Sequence, residues 1–376
     1  MAERLKLQSE MSIFHRLLEV NWVFVILVTL MAGVGAVALY SAGGGNLDPW
    51  ASRQITRFFM GLAVLLVVAL VDIRFWYRMA YPIYIVGFIL LIIVEVMGQI
   101  GMGAQRWINL GFVQIQPSEL MKIAVTLALA RYFHAAAPEE MKSIRFLIPA
   151  VLIIVAPVGL VLLQPNLGTS LMIIMGGAAV MFLAGAPIRW FLLAGGAVAA
   201  MLPIAWSFMH DYQKRRVTTF LNPESDPLGA GYHIMQSKIA LGSGGIEGKG
   251  FLKGTQSHLN FLPEKQTDFI FTLWAEEWGL MGGIALLVLI ALIFISGIWM
   301  ALRCRHSFGR LLAMGLTINF SLYVFINIAM VMGLIPVVGI PLPMVSYGGT
   351  ATLAVLASFG LIQSCYIHRD SKLPRM

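Results

Sequence analysis

Apolar runs long enough to cross a bilayer recur from Trp22 almost to the C-terminus, and a water-soluble fold has nowhere to bury them all. A spanning helix needs ~20 predominantly apolar residues. The runs predict spans at 21–41, 55–71, 81–98, 119–134, 147–163, 168–185, 190–210, 268–300, 311–333 and 348–366. Charged residues make up 12% of the chain and hydrophobic ones 59%, whereas a soluble domain has about a quarter of its residues charged. The expected architecture is an all-α integral membrane protein of about ten transmembrane helices, one polytopic domain over residues 1–376. The apolar stretch after residues 1–20 is longer than a signal-peptide core, which predicts an uncleaved first helix.

An even number of spans places both termini on one side, and the short loops say which. The N-terminal segment and alternate loops carry Arg4, Lys6, Arg16, Arg74, Arg78, Arg131, Lys142, Arg145, Arg189, Arg303, Arg305, Arg310, Arg369, Lys372 and Arg375. The opposite loops and helix ends hold Arg53, Arg57, Arg106 and Lys122. Basic residues are retained on the cytoplasmic side, so both termini are expected there. The segment 211–267 is set aside, because long loops translocate largely regardless of charge. Lys and Arg beside anionic lipid explain most of the net charge of +8, so no nucleic-acid partner is required. Cys304 and Cys365 fall near the cytoplasmic edge, and the histidines lack metal-ligand spacing, so neither a disulfide nor a metal cluster is expected. No nucleotide-binding loop and no organic-cofactor motif is present. The energy for any chemistry must therefore arrive in the substrate.

The outer loops concentrate the reactive side chains. The first cluster, residues 101–122, leads into the fourth span. Glu119 and Lys122, three apart, share a helix face, either as an intrahelical pair or with Lys122 and Arg106 as donors to a phosphate. Trp107 is suited to the membrane interface. The second, Gln164-Pro165-Asn166, reads by itself as a turn. The third, residues 241–269, is glycine-rich, and Lys249 among the glycines suits an anion-binding backbone nest. Asp268 opens the eighth span, as a cap or as a reactive acid at the outer boundary. Glu276 lies roughly 12 Å deeper at 1.5 Å per residue, and a carboxylate there is a functional candidate. The fourth, residues 335–350, brings Ser346, Tyr347, Gly348 and Gly349 to a helix N-terminus, a rigid turn or an anion site.

Taken together these clusters resemble the bacterial SEDS family (shape, elongation, division and sporulation). RWINLG at 106–111, QPSELMK at 116–122, QPNLGTS at 164–170, the stretch 226–250, FLPEKQTDFIFTLWAEEWG at 261–279 and PLPMVSYGGT at 341–350 follow the family's order over essentially the whole chain. Segment 254–264 is of the elongation type rather than the division type. The resemblance implies a ten-helix fold and a peptidoglycan glycosyltransferase that polymerises lipid II beside a class B penicillin-binding protein of the elongation machinery. It makes Asp268 the essential acid, matches Arg106 and Trp107 to the family's Trp-containing loop, and matches Glu119 and Lys122 to its Glu and Lys pair. Asn166 stands where the family often has Asp, so an essential charge is not expected there.

The reaction implied is attack by a sugar 4-hydroxyl on the anomeric carbon of an undecaprenyl diphosphate-linked glycan. Diphosphate leaves readily, so one base suffices and cations replace the general acid. Asp268 is the expected base. Arg106, Lys122 and Arg215 are the expected diphosphate ligands, with Mg²⁺ or Mn²⁺ as an accompanying ion. Trp107, Glu119, Lys249, Glu276 and Ser346 complete the expected substrate site. A lipid II flippase would need polar sites reachable from both faces, and the inner halves of the spans are nearly free of charge, so transport ranks second. A division or sporulation paralogue would share the same chemistry. A scaffold without catalysis would leave Asp268 and Lys122 without a reason.

Overall fold

The computed structural model describes residues 12–101, 104–109, 114–137, 139–208, 211–225, 230–258 and 264–374. Among them are fourteen α-helices and one small sheet. Ten helices are long: α2 (Trp22–Ala42), α3 (Ala51–Leu70), α4 (Ile73–Met97), α5 (Pro117–His134), α6 (Ile144–Leu163), α7 (Leu167–Ala184), α8 (Ile188–Phe208), α12 (Ile270–Leu302), α13 (Ser307–Val331) and α14 (Gly349–Ile367). Short helices α1 (Ile13–Leu18), α9 (Asp211–Leu221), α10 (Ala230–Ser243) and α11 (Thr255–His258) lie at the N-terminus and in the long loop. Eight of the long helices are apolar enough to cross a membrane by length and composition. The remaining two long helices are α5 and α8, the latter apolar over Ile188–Met201.

Helix α5 carries Glu119, Lys122, Thr126, Arg131 and His134, yet it is buried on nearly every side between Pro117 and Ala130. Helices α4, α7 and α13 all pack on it and screen it from its surroundings. Helix α8 exposes most of its described side chains, with Leu192, Leu193, Val198 and Met201 all at least 60% exposed. Its apolar surface is lipid-facing by character. Elsewhere small residues let the helices approach closely, as expected where burial in lipid gives no hydrophobic gain. A Cβ at Gly360 of α14 would lie 2.6 Å from the Leu65 carbonyl oxygen of α3.

Helices and loops differ from expectation in three places. Helix α4 begins at Ile73 rather than 81, because Asp72 caps it by accepting from the Arg74 amide at 2.8 Å. Strands β1 (Gln99–Gly101), β2 (Ala104–Asn109) and β3 (Gln114–Ile115) form an antiparallel sheet at the mouth of α5, with Gln99 opposite Trp107 and Ile108 opposite Ile115. Helix α12 is broken at Gly279, whose φ of 62° and ψ of −160° no side-chain-bearing residue adopts readily. The segment 270–278 is therefore not continuous with the span below it, and Asp268, in the turn before Ile270, shares no helix face with Glu276.

At that break the glycine-rich loop runs along the chain like a strand. Lys249 and Gly250 donate their amides to the carbonyls of Glu276 and Glu277, each at 3.0 Å, and Leu280 donates to Gly245 at 2.9 Å. A Cβ at Gly279 would overlap the backbone of Ile246 and Gly248. Gly279→Ala should therefore cost at least about 1–3 kcal/mol from the backbone conformation alone. It should lower the unfolding midpoint of the purified protein and open residues 244–250 to amide exchange.

At the other membrane end the helix ends are stitched together. Arg369 pairs with Glu19 at 2.8 Å, and the Asn21 amide donates to Gln363 Oε1 at 3.0 Å, so the start of α2 meets the end of α14. His306 caps α13 by accepting from the Gly309 amide at 2.8 Å, which needs a neutral ring nitrogen. Burial pushes its pKa from 6.5 down to about 4. The unfolded chain then binds a proton that the folded chain refuses, so stability falls as pH drops from 6.5 toward 4. At about 1.4 kcal/mol per pH unit the loss reaches about 3 kcal/mol. Unfolding midpoints measured across that window should fall more steeply for the native chain than for His306→Asn, which keeps a capping side chain without the titration.

Candidate active site

Asp268 lies in a turn, residues 264–269, immediately before α12 rather than within it. Three contacts from distant parts of the chain hold that turn. Ser346 donates its hydroxyl to the Thr267 carbonyl at 2.6 Å, and the Tyr347 amide donates to the Gln266 carbonyl at 2.8 Å. Asn327 of α13 donates to the Asp268 carbonyl at 2.9 Å and to that of Ile340 at 2.7 Å. Gln54 of α3 steadies the same loop from beneath by donating to the carbonyls of Met344 and Ser346, at 3.3 and 3.1 Å. The Asp268 side chain is half-buried, with Oδ2 3.5 Å from the place a Cβ would occupy on Gly339. The third and fourth sequence clusters thus meet around one acid.

The same contacts revise the expectation for Ser346. Its oxygen donates to Thr267 and accepts from the Leu342 amide at 2.7 Å, and the residue is 1% exposed. The amides of Ser346 and Tyr347 donate to Leu342 and Gln266. Ser346 positions the Asp268 turn and does not present itself to an anion.

One helical turn below Asn327, Tyr323 meets the pair on α5. Lys122 Nζ lies 2.7 Å from Glu119 Oε1 and 3.9 Å from Met172 Sδ, and the Tyr323 hydroxyl joins both Lys122 and Glu119. The ammonium also sits 4.1 Å from the Tyr323 ring centre. Lys122 is 4% exposed and Glu119 5%. Four residues deeper, Asn319 donates to Thr126 at 3.0 Å. Asn319, Tyr323 and Asn327 thus form a polar stripe down one face of α13, about 6 Å per step. The cavity beside Lys122 is about 20 Å³, room for a water but not for a diphosphate. In this geometry Lys122 is answered by Glu119 and Tyr323, because an ion in lipid surroundings needs a partner within the protein. Its ammonium is taken up by the protein's own groups in this structure.

The remaining expected residues divide. Arg106 on β2 donates from Nε to the Gln164 carbonyl at 3.1 Å and also to the Pro165 carbonyl, so it ties the sheet to the turn after α6. Trp107 is half-buried beside it. Asn166 caps α7 through the Thr169 amide at 3.4 Å, a role a neutral side chain fills. Lys249 and Glu276 pair with each other at 2.7 Å, and Glu276 also accepts from the Gln256 amide at 2.9 Å. The amides of Gly248, Lys249, Gly250 and Lys253 are spent on carbonyls, so they form no anion nest at Lys249. Both residues clasp the loop to the end of α12's first segment, with Glu277 accepting from Ser41 of α2. Arg215 falls on α9, with its side chain outside the described set.

Two arginines that charge counting left without a role, Arg53 and Arg57, lie on α3, and Arg57 reaches the segment that holds the Asp268 turn. Arg57 stacks 4.6 Å from the Tyr347 ring centre, and its Cζ lies 3.3 Å from the place a Cβ would occupy on Gly349, the first residue of α14. With Ser52, Arg53, Thr56 and Met60 it lines an open cavity of about 240 Å³. Their signal in the sequence was the outer-side position of two arginines four apart on one helix face. Among the described residues no group of three or more His, Cys, Asp or Glu side chains gathers to hold a metal.

Residues 18–371 match the FtsW/RodA/SpoVE family, described as a cell cycle protein family. The chain belongs to this family. It is 47% identical over 346 residues to the peptidoglycan glycosyltransferase MrdB of Escherichia coli K12, covering 92% of each chain. Its fold matches that in a peptidoglycan synthase complex that coordinates polymerization and crosslinking, with a TM-score of 0.82, 33% identity and coverage of 94% of this chain and 99% of the other. It also matches the rod shape determining protein RodA of Thermus thermophilus, with a TM-score of 0.72, 28% identity and coverage of 94% and 98%. The elongation-type reading of segment 254–264 agrees with the MrdB and RodA likeness, and the chain is a multi-pass membrane protein.

Because the Glu119 and Lys122 charges neutralise each other in a dry setting, removing one strands the other. Lys122→Met should destabilise the protein by about 3–5 kcal/mol, read as a lowered unfolding midpoint. Adding Glu119→Gln should recover part of that loss, because the stranded charge disappears.

Proposed function

We propose that this chain is the peptidoglycan glycosyltransferase of an elongation synthase, polymerising lipid II at the outer face of the bacterial cytoplasmic membrane with both termini in the cytoplasm. The observation that carries the reading is the Asp268 turn, pinned by Ser346, Tyr347 and Asn327 at the membrane end where Arg57 also lies. A carboxylate there is level with lipid headgroups, where a glycan acceptor and a prenyl diphosphate donor can both reach.

In this scheme the acceptor 4-hydroxyl attacks the donor's anomeric carbon while Asp268 takes its proton. The bond to the diphosphate breaks, and undecaprenyl diphosphate leaves with the electron pair. A single displacement turns the α-linked donor into a β-linked strand. Arg53 and Arg57 replace Lys122 as ligands of the departing diphosphate, with two guanidinium groups suited to phosphate oxygens. Arg106 and Trp107 shape the sheet at the rim. A divalent cation, Mg²⁺ or Mn²⁺, would come with the diphosphate as part of the substrate. The small size of the cavity at Lys122 favours bond formation over passage of a headgroup through the bundle.

A class B penicillin-binding protein is the proposed partner, consistent with the likeness to a synthase complex that couples polymerization to crosslinking. Asp268→Asn should abolish glycan-chain formation from purified lipid II, measured with the partner present, while leaving the unfolding midpoint unchanged. Near-normal chain formation by that variant would remove Asp268 from the mechanism.

A further inference from the structure

A second cavity lies at the opposite end of the bundle from Asp268. Tyr77 and Tyr81, in the first turns of α4, face Arg131, Tyr132, Ala135 and Ala136 at the end of α5, with Glu140 and Phe146 closing the rim. Its volume is about 310 Å³, within the range of small-molecule sites at roughly 300–1,000 Å³. Nothing in the polymerisation scheme uses it.

The lining is unusual in presenting one fixed charge of each sign. The Arg131 guanidinium lies 4.5 Å from the Tyr81 ring centre and 4.9 Å from that of Tyr77, and Nη1 donates to the Arg78 carbonyl at 2.9 Å. Glu140 is oriented by the Ala137 amide, which donates to Oε2 at 2.8 Å. Among the described residues no ion pair joins Arg131 to Glu140, although both line the same cavity. Tyr132 stacks on Phe146 with ring centres 4.9 Å apart, and its hydroxyl is spent on the Phe146 carbonyl at 2.8 Å. The Tyr77 hydroxyl likewise donates to the Pro374 carbonyl at 3.1 Å, so these two rings offer faces and edges rather than hydroxyl donors.

We propose that this cavity binds the phosphoethanolamine headgroup of a bilayer lipid. Arg131 would take the phosphate, and Glu140 with the aromatic wall would take the ammonium. A purely anionic headgroup would meet Glu140 unfavourably, and a purely cationic one would meet Arg131. The cavity opens where the helices end, at headgroup level, among the exposed basic residues Arg78, Lys142 and Arg145. Acyl chains would then lie along the exposed apolar face of α4, where Ile85, Ile89 and Ile92 are each at least 43% exposed.

The test uses the full-length protein, reconstituted with equal amounts of phosphatidylethanolamine and phosphatidylglycerol of matched chains. The protein is then extracted in mild detergent, and its retained lipids are counted by mass spectrometry. The native chain should retain phosphatidylethanolamine over phosphatidylglycerol by about two- to fivefold, the factor that an ammonium paired with the Glu140 carboxylate at a partly exposed site supplies. Glu140→Gln, which keeps an acceptor for the Ala137 amide, should bring the ratio to about one without lowering phosphatidylglycerol retention. Arg131→Gln should lower retention of both lipids, and Arg131→Lys should restore part of it. Equal retention by the native chain, or a ratio that Glu140→Gln leaves unchanged, would overturn the proposal. So would displacement of the bound lipid by millimolar free phosphoethanolamine or inorganic phosphate, which would make the occupant a soluble compound.

Discussion

Lys122 and Glu119 stand 2.7 Å apart inside a bundle whose outer surface meets lipid, and much of the molecule follows from keeping them satisfied. An ion pair out of water is tolerable only with good geometry and further hydrogen bonds, because desolvation costs several kcal/mol per ion. Tyr323 supplies those bonds from α13, and the requirement fixes the height of α13 against α5. Asn327 follows one turn above on the same face. It therefore arrives at the level where it can hold the carbonyls of Asp268 and Ile340. The buried pair sets the register, and the register places the reactive turn.

This arrangement gives the site a rigid base. Gln54 of α3, Asn327 of α13 and Ser346 before α14 converge on the two short segments that frame Asp268. The broken helix at Gly279 serves the same end. It lets residues 270–278 leave the line of the span and accept the glycine-rich loop along their carbonyls, with Lys249 and Glu276 as the clasp. Charges that look reactive in the sequence are here used to order the chain around the acid.

Much of this was legible in advance, and the failures have physical causes. Apolar run length located the ten long helices, eight of which are apolar enough to cross a membrane by length and composition. The order of the conserved-looking motifs along the chain pointed to the family and to Asp268. The positive φ of Gly279 was not legible, because a glycine among the other glycines of a membrane helix gives no sign of its backbone angles. Nor were the partners of Lys249, Glu276 and Ser346, which depend on contacts across long stretches of chain. The stripe of Asn319, Tyr323 and Asn327 could have been read, since polar residues four apart in an apolar helix mark an inward face. Arg53 and Arg57 were counted for topology, but only the folded chain shows Arg57 against Tyr347 at the start of α14.

The two ends of the bundle carry different chemistry: an acid with arginines on one side, and a cavity with balanced charges on the other. The central claim is that a prenyl diphosphate sugar binds at the first. The most direct measurement is photocrosslinking of the purified protein with a lipid II analogue bearing a photoreactive group beside the diphosphate, followed by peptide mapping. The account predicts adducts on residues 52–57, 264–268 and 339–349. Adducts confined to the Tyr77, Arg131 and Phe146 cavity at the opposite end would contradict it.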